Sequence, residues 1–369
     1  AQGGFKGRNA VLALPAASMF IQHLRLPKMD EEAMKKALPW EARGKIPIDP
    51  SHALLRHYIA GTVYQEQEER NEVIVMAAGR DVVNQYLEAA TKAKLEIEGM
   101  SVEPTAIVDC FSHIYRRKTD ADVTSCYVDI GCTGSRAIIA RGNHILFART
   151  IPIGGDHLTQ AVAAALGIGF EEAKLLRLQM GATQTSASEA APRQEITPQP
   201  EPSSAPAAEG FALLDAALAA AQKADGPAED RRAPATAERS AVTPEAVSTT
   251  PNIADRTVQA EQACREPLNK LVTELDLCRR YYESTFANQP LNRLIFIGGE
   301  AKHKTLCQYI AKEMGLAAQV GDPLVRMGRM SNVGLESGID RRQPQPNWAV
   351  AIGLSLGTNA QAQQVSKAA

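Results

Sequence analysis

The apolar run Ala10–Leu14 and the stretch Met19–Leu26, in which Gln22, Leu24 and Leu26 alternate with Ile21, His23 and Arg25, predict a pair of strands on either side of a Pro15–Ser18 turn. Asp30 follows Pro27-Lys28-Met29 as a good N-cap, and an apolar helical face opens at Ala33 and runs through Ala37 with Trp40 beyond. Pro39 predicts that this helix ends or kinks near Leu38. Ile46–Pro50 reads as an extended loop, and Leu54–Tyr64 and Glu72–Gly79 as strands around a polar hairpin at Gln65–Asn71. Val82, Val83, Tyr86, Leu87 and Ala90 share one face of a predicted helix over Arg80–Lys94, and Leu95–Val102 returns as a strand. The first hundred residues therefore read strand–strand–helix–strand–strand–helix–strand. A helix over Glu103–Lys118 follows, opening at Pro104 and burying Ile107, Val108, Phe111 and Ile114, with Asp109 solvated.

Beyond it, Ser125–Ile130, Arg136–Arg141 and His144–Arg149 predict three short strands joined by tight turns at Gly131–Gly134 and Gly142-Asn143. Leu158, Val162 and Leu166 stripe a helix over His157–Leu166, and a second helix covers Phe170–Met180. From Gly181 to about Asn252 the pattern disappears into Ala, Pro, Ser, Thr, Glu and Gln, a composition too poor in apolar surface to offset its ordering entropy. Within that tract Phe211–Lys223 has helical spacing and reads as a transient linker helix, or alternatively as a partner-binding one. Periodicity resumes in one long helix over Ile253–Phe286, with Leu268, Leu271, Leu275, Leu277 and Tyr281 as core and Pro267 as its true start or a kink. A buried strand at Leu294–Ile297, a strand at Gln319–Val320, a loop over Pro323–Arg342 and a helix from Trp348 to Gly357 complete the chain.

Composition narrows the function classes. The chain has 369 residues and a formal charge of −2, so it lacks the basic excess that would favour nucleic acid or an anionic membrane. The Arg279-Arg280-Tyr281-Tyr282 run is too short and isolated for a nucleic-acid platform. No run of about 18 apolar residues occurs, which argues against direct membrane insertion. None of the six cysteines forms a Cys-x-x-Cys pair, so they read as reduced residues of a cytoplasmic protein. The chain opens Ala-Gln-Gly-Gly without Met and so reads as a fragment or a processed chain.

One stretch carries candidate chemistry. Asp129 stands at the end of a buried strand beside a turn of Gly131, Thr133, Gly134 and Ser135, an arrangement suited to phosphate and metal. Backbone N–H groups and the hydroxyls of Thr133 and Ser135 would face phosphate oxygens, and Asp129 would hold a hydrated Mg²⁺. The bland alternative is an ordinary hairpin whose Asp caps its turn. Two later Gly-Gly turns sharpen the reading. Gly154-Gly155 leads into a helix with Asp156 near its start, and Gly298-Gly299 follows a strand, where bare backbone allows close approach to a ligand.

Taken in order, V-L-A-L-P-A-A-S, L-R-L-P-K-M-D-E-E, P-W-E-A-R-G-K-I-P-I-D, Y-V-D-I-G, I-P-I-G-G-D-H-L-T-Q, A-L-G-I-G-F-E-E-A-K and I-F-I-G-G resemble the PilM family, actin-like proteins of type IV pilus assembly. The resemblance covers Val11–Lys174 and Pro267–Thr358. It implies an α/β chain of the actin-like, ribonuclease-H-like ATPase fold with an inserted α+β subdomain, called 1C. On that basis the chain is N-terminally truncated and carries a long disordered insertion. The implied division is a 1C-like unit at 1–102, a connecting helix at 103–122, and a second lobe at 123–180 and 253–342. The insertion lies at 181–252, and a closing helix and tail occupy 343–369. Implied cofactors are ATP and Mg²⁺. Implied nucleotide contacts are Asp129, Gly131, Thr133, Gly134, Ser135, Gly154, Gly155, Gly298 and Gly299, with Glu171 and Lys174 as an E-x-x-K pair beside adenine and ribose. Glu300 departs from the small residue usual in the family, and the first phosphate loop has no counterpart here, so hydrolysis is expected to be weak or absent. The implied partner is the cytoplasmic tail of a membrane-anchored, PilN-like protein, alongside other proteins of the pilus platform at the inner membrane. The alternatives are an active ATPase of the same fold, or a relative of FtsA or of the type II secretion L protein.

Overall fold

The computed structural model describes residues 7–65, 68–115, 120, 122–183, 253–328 and 342–357. In chain order, β1 (Asn9–Leu14), β2 (Phe20–Pro27), α1 (Glu31–Glu41), β3 (Ala53–Gln65), β4 (Glu68–Gly79), α2 (Arg80–Lys92) and β5 (Glu96–Val102) follow the predicted sequence of elements. β1 and β5 pair in parallel as a two-stranded sheet, and everything between them is an inserted antiparallel sheet in the order β2–β4–β3. The chain thus enters and leaves the inserted sheet through neighbouring strands, and the strands of residues 9–102 lie in two sheets.

The alternation in β4 shows why the insertion packs as it does. Val73 and Val75 join Leu24, Leu26, Met34 and Leu38 under α1, whereas Ile74 and Met76 point the other way into the main core. With both faces covered, β4 from Val73 onward is an unbroken apolar run instead of an alternating one. At the N-terminus of α1, Asp30 Oδ1 accepts from the Ala33 N–H at 2.7 Å, as predicted. Pro39 does not stop the helix, which continues to Glu41. Buried Met34 and Leu38 anchor the last turn, and Pro39 lies on the solvent side, where water can serve the carbonyl left without a donor. Trp40 falls outside the apolar face, 70 % exposed with Arg43 stacked over its ring.

The larger core surrounds a mixed five-stranded sheet in the order β10–β9–β6–β7–β8. Its members are β6 (Thr124–Ile130), β7 (Ser135–Arg141), β8 (His144–Ile151), β9 (Arg293–Ile297) and β10 (Ala317–Val320). Antiparallel hairpins join β6, β7 and β8, while β9 and β10 run parallel to β6 and return through helices. Those helices are α3 (Glu103–Ile114), α4 (Gly155–Leu166), α5 (Phe170–Thr183), α6 (Ile253–Thr285), α7 (Lys304–Met314) and α8 (349–357). α3 ends four residues short of the predicted Lys118, which lies outside the described residues.

α6 runs unbroken through Pro267. Ala260, Cys264, Leu271, Leu275, Cys278 and Tyr282 form a buried stripe on both sides of the proline, and that packing offsets a penalty of roughly 3 kcal/mol. Leu277 and Tyr281, predicted as core, lie at the edge of that stripe and are only partly buried. The inserted sheet meets this lobe directly: His23 Nε2 lies 3.1 Å from the Ala148 carbonyl of β8, and the Tyr281 hydroxyl of α6 donates to Glu72. Of the predicted tract at 181–252, the first three residues continue α5 to Thr183; residues 184–252, with Phe211–Lys223, and most of the Pro323–Arg342 loop lie outside the described residues.

Candidate functional site

Three glycine turns converge on Asp129. The β6–β7 turn closes through the Gly131 N–H donating to the Gly134 carbonyl at 3.0 Å. The N-terminus of α4 then caps that turn: the Gly155 N–H donates to the Gly131 carbonyl at 2.9 Å, and the Asp156 N–H to the Cys132 carbonyl at 2.8 Å. A Cβ on Gly154 would stand 2.5 Å from the Cys132 oxygen and 2.6 Å from the Gly134 nitrogen, so only glycine fits there. On the third side Gly298 has φ +88°, and any Cβ on it would collide with Asp129 Oδ1 and the Ile130 carbonyl. The sequence therefore places glycine where backbones must touch around one carboxylate.

Asp129 is buried, and its carboxyl is pushed above the ordinary range by that burial; Arg136 draws it down, and nearby Glu103 pushes it up again. Arg136 stands opposite Asp129 in the hairpin register, with Nε 3.2 Å from Oδ2 but at an angle short of a hydrogen bond. Its Nη1 is hydrogen-bonded to Glu103 at the start of α3. Glu103 in turn accepts from the Ala16 N–H at 2.8 Å, so this network reaches across to the loop after β1. An Asp–Arg pair at facing positions of a two-stranded hairpin is readable from sequence once the register is known, and it was not part of the predicted site.

A second ion pair stands beside the first. Glu300, in the turn after β9, takes a bidentate contact from Arg177 of α5, with Nη1–Oε2 at 2.5 Å and Nη2–Oε1 at 2.9 Å. Arg177 is only 2 % exposed; its Nε donates to Thr159 Oγ1 at 3.2 Å, and its backbone carbonyl faces His303 Nε2 at 2.8 Å. The Glu300 carboxylate lies against the Cα of Gly155, where a Cβ would have no room.

The predicted site residues sort accordingly. Asp129, Gly131, Thr133, Gly134, Ser135, Gly154, Gly155, Gly298 and Gly299 come together in one loop cluster. The Ser135 hydroxyl is not turned toward a ligand: it is buried and donates to the Ile153 carbonyl at 2.6 Å. Cys132, Thr133 and Gly299 face outward. On α5, Glu171 is exposed and Lys174 half-buried, and the basic residue that reaches the cluster is Arg177, one turn further along. Its place in the Ala173–Arg177–Met180 buried stripe was the signal for it. Among the described residues no group of three or more His, Cys, Asp or Glu could hold a metal ion. In this arrangement the first N–H groups of α4 are committed to backbone carbonyls and Asp129 faces the Arg136 guanidinium, so these residues do not fit Mg²⁺ and a nucleotide's phosphates as they stand.

A separate groove of about 690 Å³ opens between the β1–β5 sheet, the inserted sheet, α3 and α8. Leu14, Met19, Met76 and Val83 make its apolar floor, and the exposed Arg56 and partly buried Asp109 stand among its walls.

The family described as Type IV pilus assembly protein PilM matches residues 2–188, and that described as Cell division protein FtsA matches residues 126–353. No curated protein matches the chain. Among solved structures, a PilM–PilN type IV pilus biogenesis complex matches with a TM-score of 0.63 at 20 % identity, over 96 % of this chain and 80 % of that one. MreB 5 of Spiroplasma citri bound to AMPPNP matches with a TM-score of 0.40 at 11 % identity, over 78 % of this chain and 68 % of that one. The ethanolamine utilization protein EutJ from Carboxydothermus hydrogenoformans matches at 0.38 and 13 %, over 75 % and 60 %. Among the described residues no helix is long and apolar enough to cross a membrane. With the pilus family matched over more than half its length, the chain belongs to the PilM family of type IV pilus assembly proteins and has that family's actin-like fold.

Proposed function

We propose that the chain is a scaffold of the type IV pilus inner-membrane platform, cytoplasmic and held at the membrane through partners. On this reading it takes the cytoplasmic tail of a PilN-like protein in the groove between the two N-terminal sheets. The observation that carries this is the groove itself: about 690 Å³ of largely apolar space bounded by elements of both sheets and by α8. An extended peptide would lay aliphatic side chains on Leu14, Met19 and Met76 and set charged groups against Arg56 and Asp109. The likeness to a PilM–PilN complex supports the choice of partner. The division into an inserted unit, a two-part second lobe at 123–180 and 253–342, and a closing helix belongs to the same proposal. Nucleotide, in this reading, is a conformational ligand of the family and not a fuel.

The test is a fluorescence-anisotropy titration of a labelled peptide copying the tail of the chain's own PilN-type partner. Gly99 lines the groove, and a Cβ built there meets nothing within 4 Å, so Gly99→Phe fills the space without displacing backbone. Saturable binding that Gly99→Phe weakens at least tenfold, with unchanged melting, supports the proposal. Binding untouched by the substitution would move the partner elsewhere, and absence of binding would refute the tail reading.

A further inference from the structure

Glycines beside an anion are how a chain makes room for phosphate, because bare backbone lets oxygens approach closely. Here the room over Gly155 is filled from within: the Glu300 carboxylate rests on that glycine and is gripped by both terminal nitrogens of Arg177. A guanidinium holds carboxylate and phosphate through the same two-pronged geometry. The pair is enclosed, with side chains 3 % and 12 % exposed, and Thr159 orients the guanidinium from the α4 side while His303 holds the α5 backbone. A buried ion pair of this kind is weak evidence of added stability, since desolvation of both charges opposes their attraction.

We infer that Glu300 is a built-in anion that takes the phosphate-binding position of the cleft, so that Arg177 becomes available to a phosphorylated ligand only when the Glu300 side chain leaves it. The contact joins the turn after β9 to α4 and α5, so it also holds these elements in the arrangement a bound phosphate would otherwise enforce. The ligand class is a di- or triphosphate, and this inference rests on the reading of the cleft as a nucleotide site.

The experiment is calorimetric titration of the full chain with pyrophosphate, Mg·ADP and Mg·ATP near neutral pH, for wild type, Glu300→Ala, Glu300→Gln, and Glu300→Gln combined with Arg177→Gln. Wild type is expected to bind all three only in the millimolar range. Glu300→Ala is expected to bind pyrophosphate and Mg·ADP at least thirtyfold more tightly, and Glu300→Gln at least fivefold. The gain should vanish when Arg177→Gln is added. The Gln variant keeps the side-chain volume and remains informative if the Ala variant fails to fold. A gain for pyrophosphate with none for either nucleotide would retire the nucleotide reading and leave Glu300 as the internal anion. Micromolar Mg·ATP binding by wild type, unchanged in the variants, would uphold the nucleotide reading and overturn the inference. Folded variants whose affinity for pyrophosphate and nucleotide equals that of wild type would overturn it as well.

Discussion

Removing the Glu72 carboxylate should loosen the inserted sheet from the second lobe. Glu72 on β4 is fully buried and lies in register with Arg25 of β2, whose Nε is 3.1 Å away. It also meets His23 Nδ1 at 3.2 Å and the Tyr281 hydroxyl of α6, while His23 stacks on Phe147 of β8 with ring centroids 4.7 Å apart. Taking away one member of a buried charged cluster typically costs about 3–5 kcal/mol. The Arg25 side chain is 27 % exposed and can turn to water, so Glu72→Ala should fall near the lower end, about 3 kcal/mol. Tyr281→Phe removes one charge-assisted hydrogen bond, worth about 1.5–3 kcal/mol, and the double variant should fall short of the sum by about 1 kcal/mol. Burial pushes the Glu72 carboxyl up, but hydrogen bonds from His23 and Tyr281 and the charges of His23 and Arg25 outweigh it and hold the group below 4.5. A carboxylate lowered in this way contributes stability above its unfolded pKa, and that contribution is lost as pH falls through the folded value. The gap between wild type and Glu72→Ala should therefore be full at pH 7 and shrink below about pH 4.5. Urea unfolding followed by circular dichroism, with hydrogen exchange on β4, measures both effects. A loss under 1 kcal/mol at neutral pH, strict additivity with Tyr281→Phe, or a gap that widens on acidification would refute the reasoning.

Two further expectations follow from single positions. A Cβ on Gly353 would fall inside the carbonyl group of Ala106, which is backbone and cannot step aside, so Gly353→Ala should lift α8 from α3 and cost about 1–3 kcal/mol. The neighbouring Trp348 emission reports that separation, and an unchanged spectrum and melting curve would show that the two helices are not in contact as described. Alkylation of the native chain with iodoacetamide should add one label, at Cys132, the one exposed cysteine of the six. Burial pushes the thiols of Cys110, Cys278 and Cys307 up to about 12 and that of Cys264 to about 11, and it raises Cys126 further, so their thiolate populations are negligible at neutral pH. A second adduct before unfolding would contradict the burial of those five.

How much of this was legible in the sequence depended on whether a feature is local. The order of elements, the Asp30 cap and the glycine turns around Asp129 are set within a few residues and could be read directly. What could not be read was pairing. Alternation alone does not reveal that β1 and β5 form their own sheet, because the partner choice is made by contacts 87 and 88 residues apart in the chain. Pro39, read as an end or a kink, and Pro267, read as a start or a kink, both lie inside continuous helices because the penalty at a proline is local, whereas the packing that offsets it, through Leu38 in one helix and the Ala260–Tyr282 stripe in the other, is not. Arg177 could be singled out from its place in the Ala173–Arg177–Met180 stripe, but the carboxylate it meets, Glu300, is more than a hundred residues away in the chain and that pairing could not be read.

The two buried carboxylates among the described residues differ in how fully their charge is compensated. Glu72 and Asp129 each face an arginine, and burial raises both, yet Glu72 ends below its ordinary range and Asp129 above it. The difference is the number and alignment of partners. Glu72 has three hydrogen bonds, to His23, Arg25 and Tyr281, and two of these partners also lower it by charge, whereas Asp129 has one off-line arginine that Glu103 also claims. A carboxylate with full compensation holds a fold together. One placed at the meeting point of three glycine turns, incompletely compensated, opposes the stability of the chain at neutral pH, because folding must keep its charge in a site that favours the neutral acid. Asp129 and Glu300 are thus complementary in the cleft: the first is a charge short of partners, and the second is an anion that supplies the chain's own partner to Arg177.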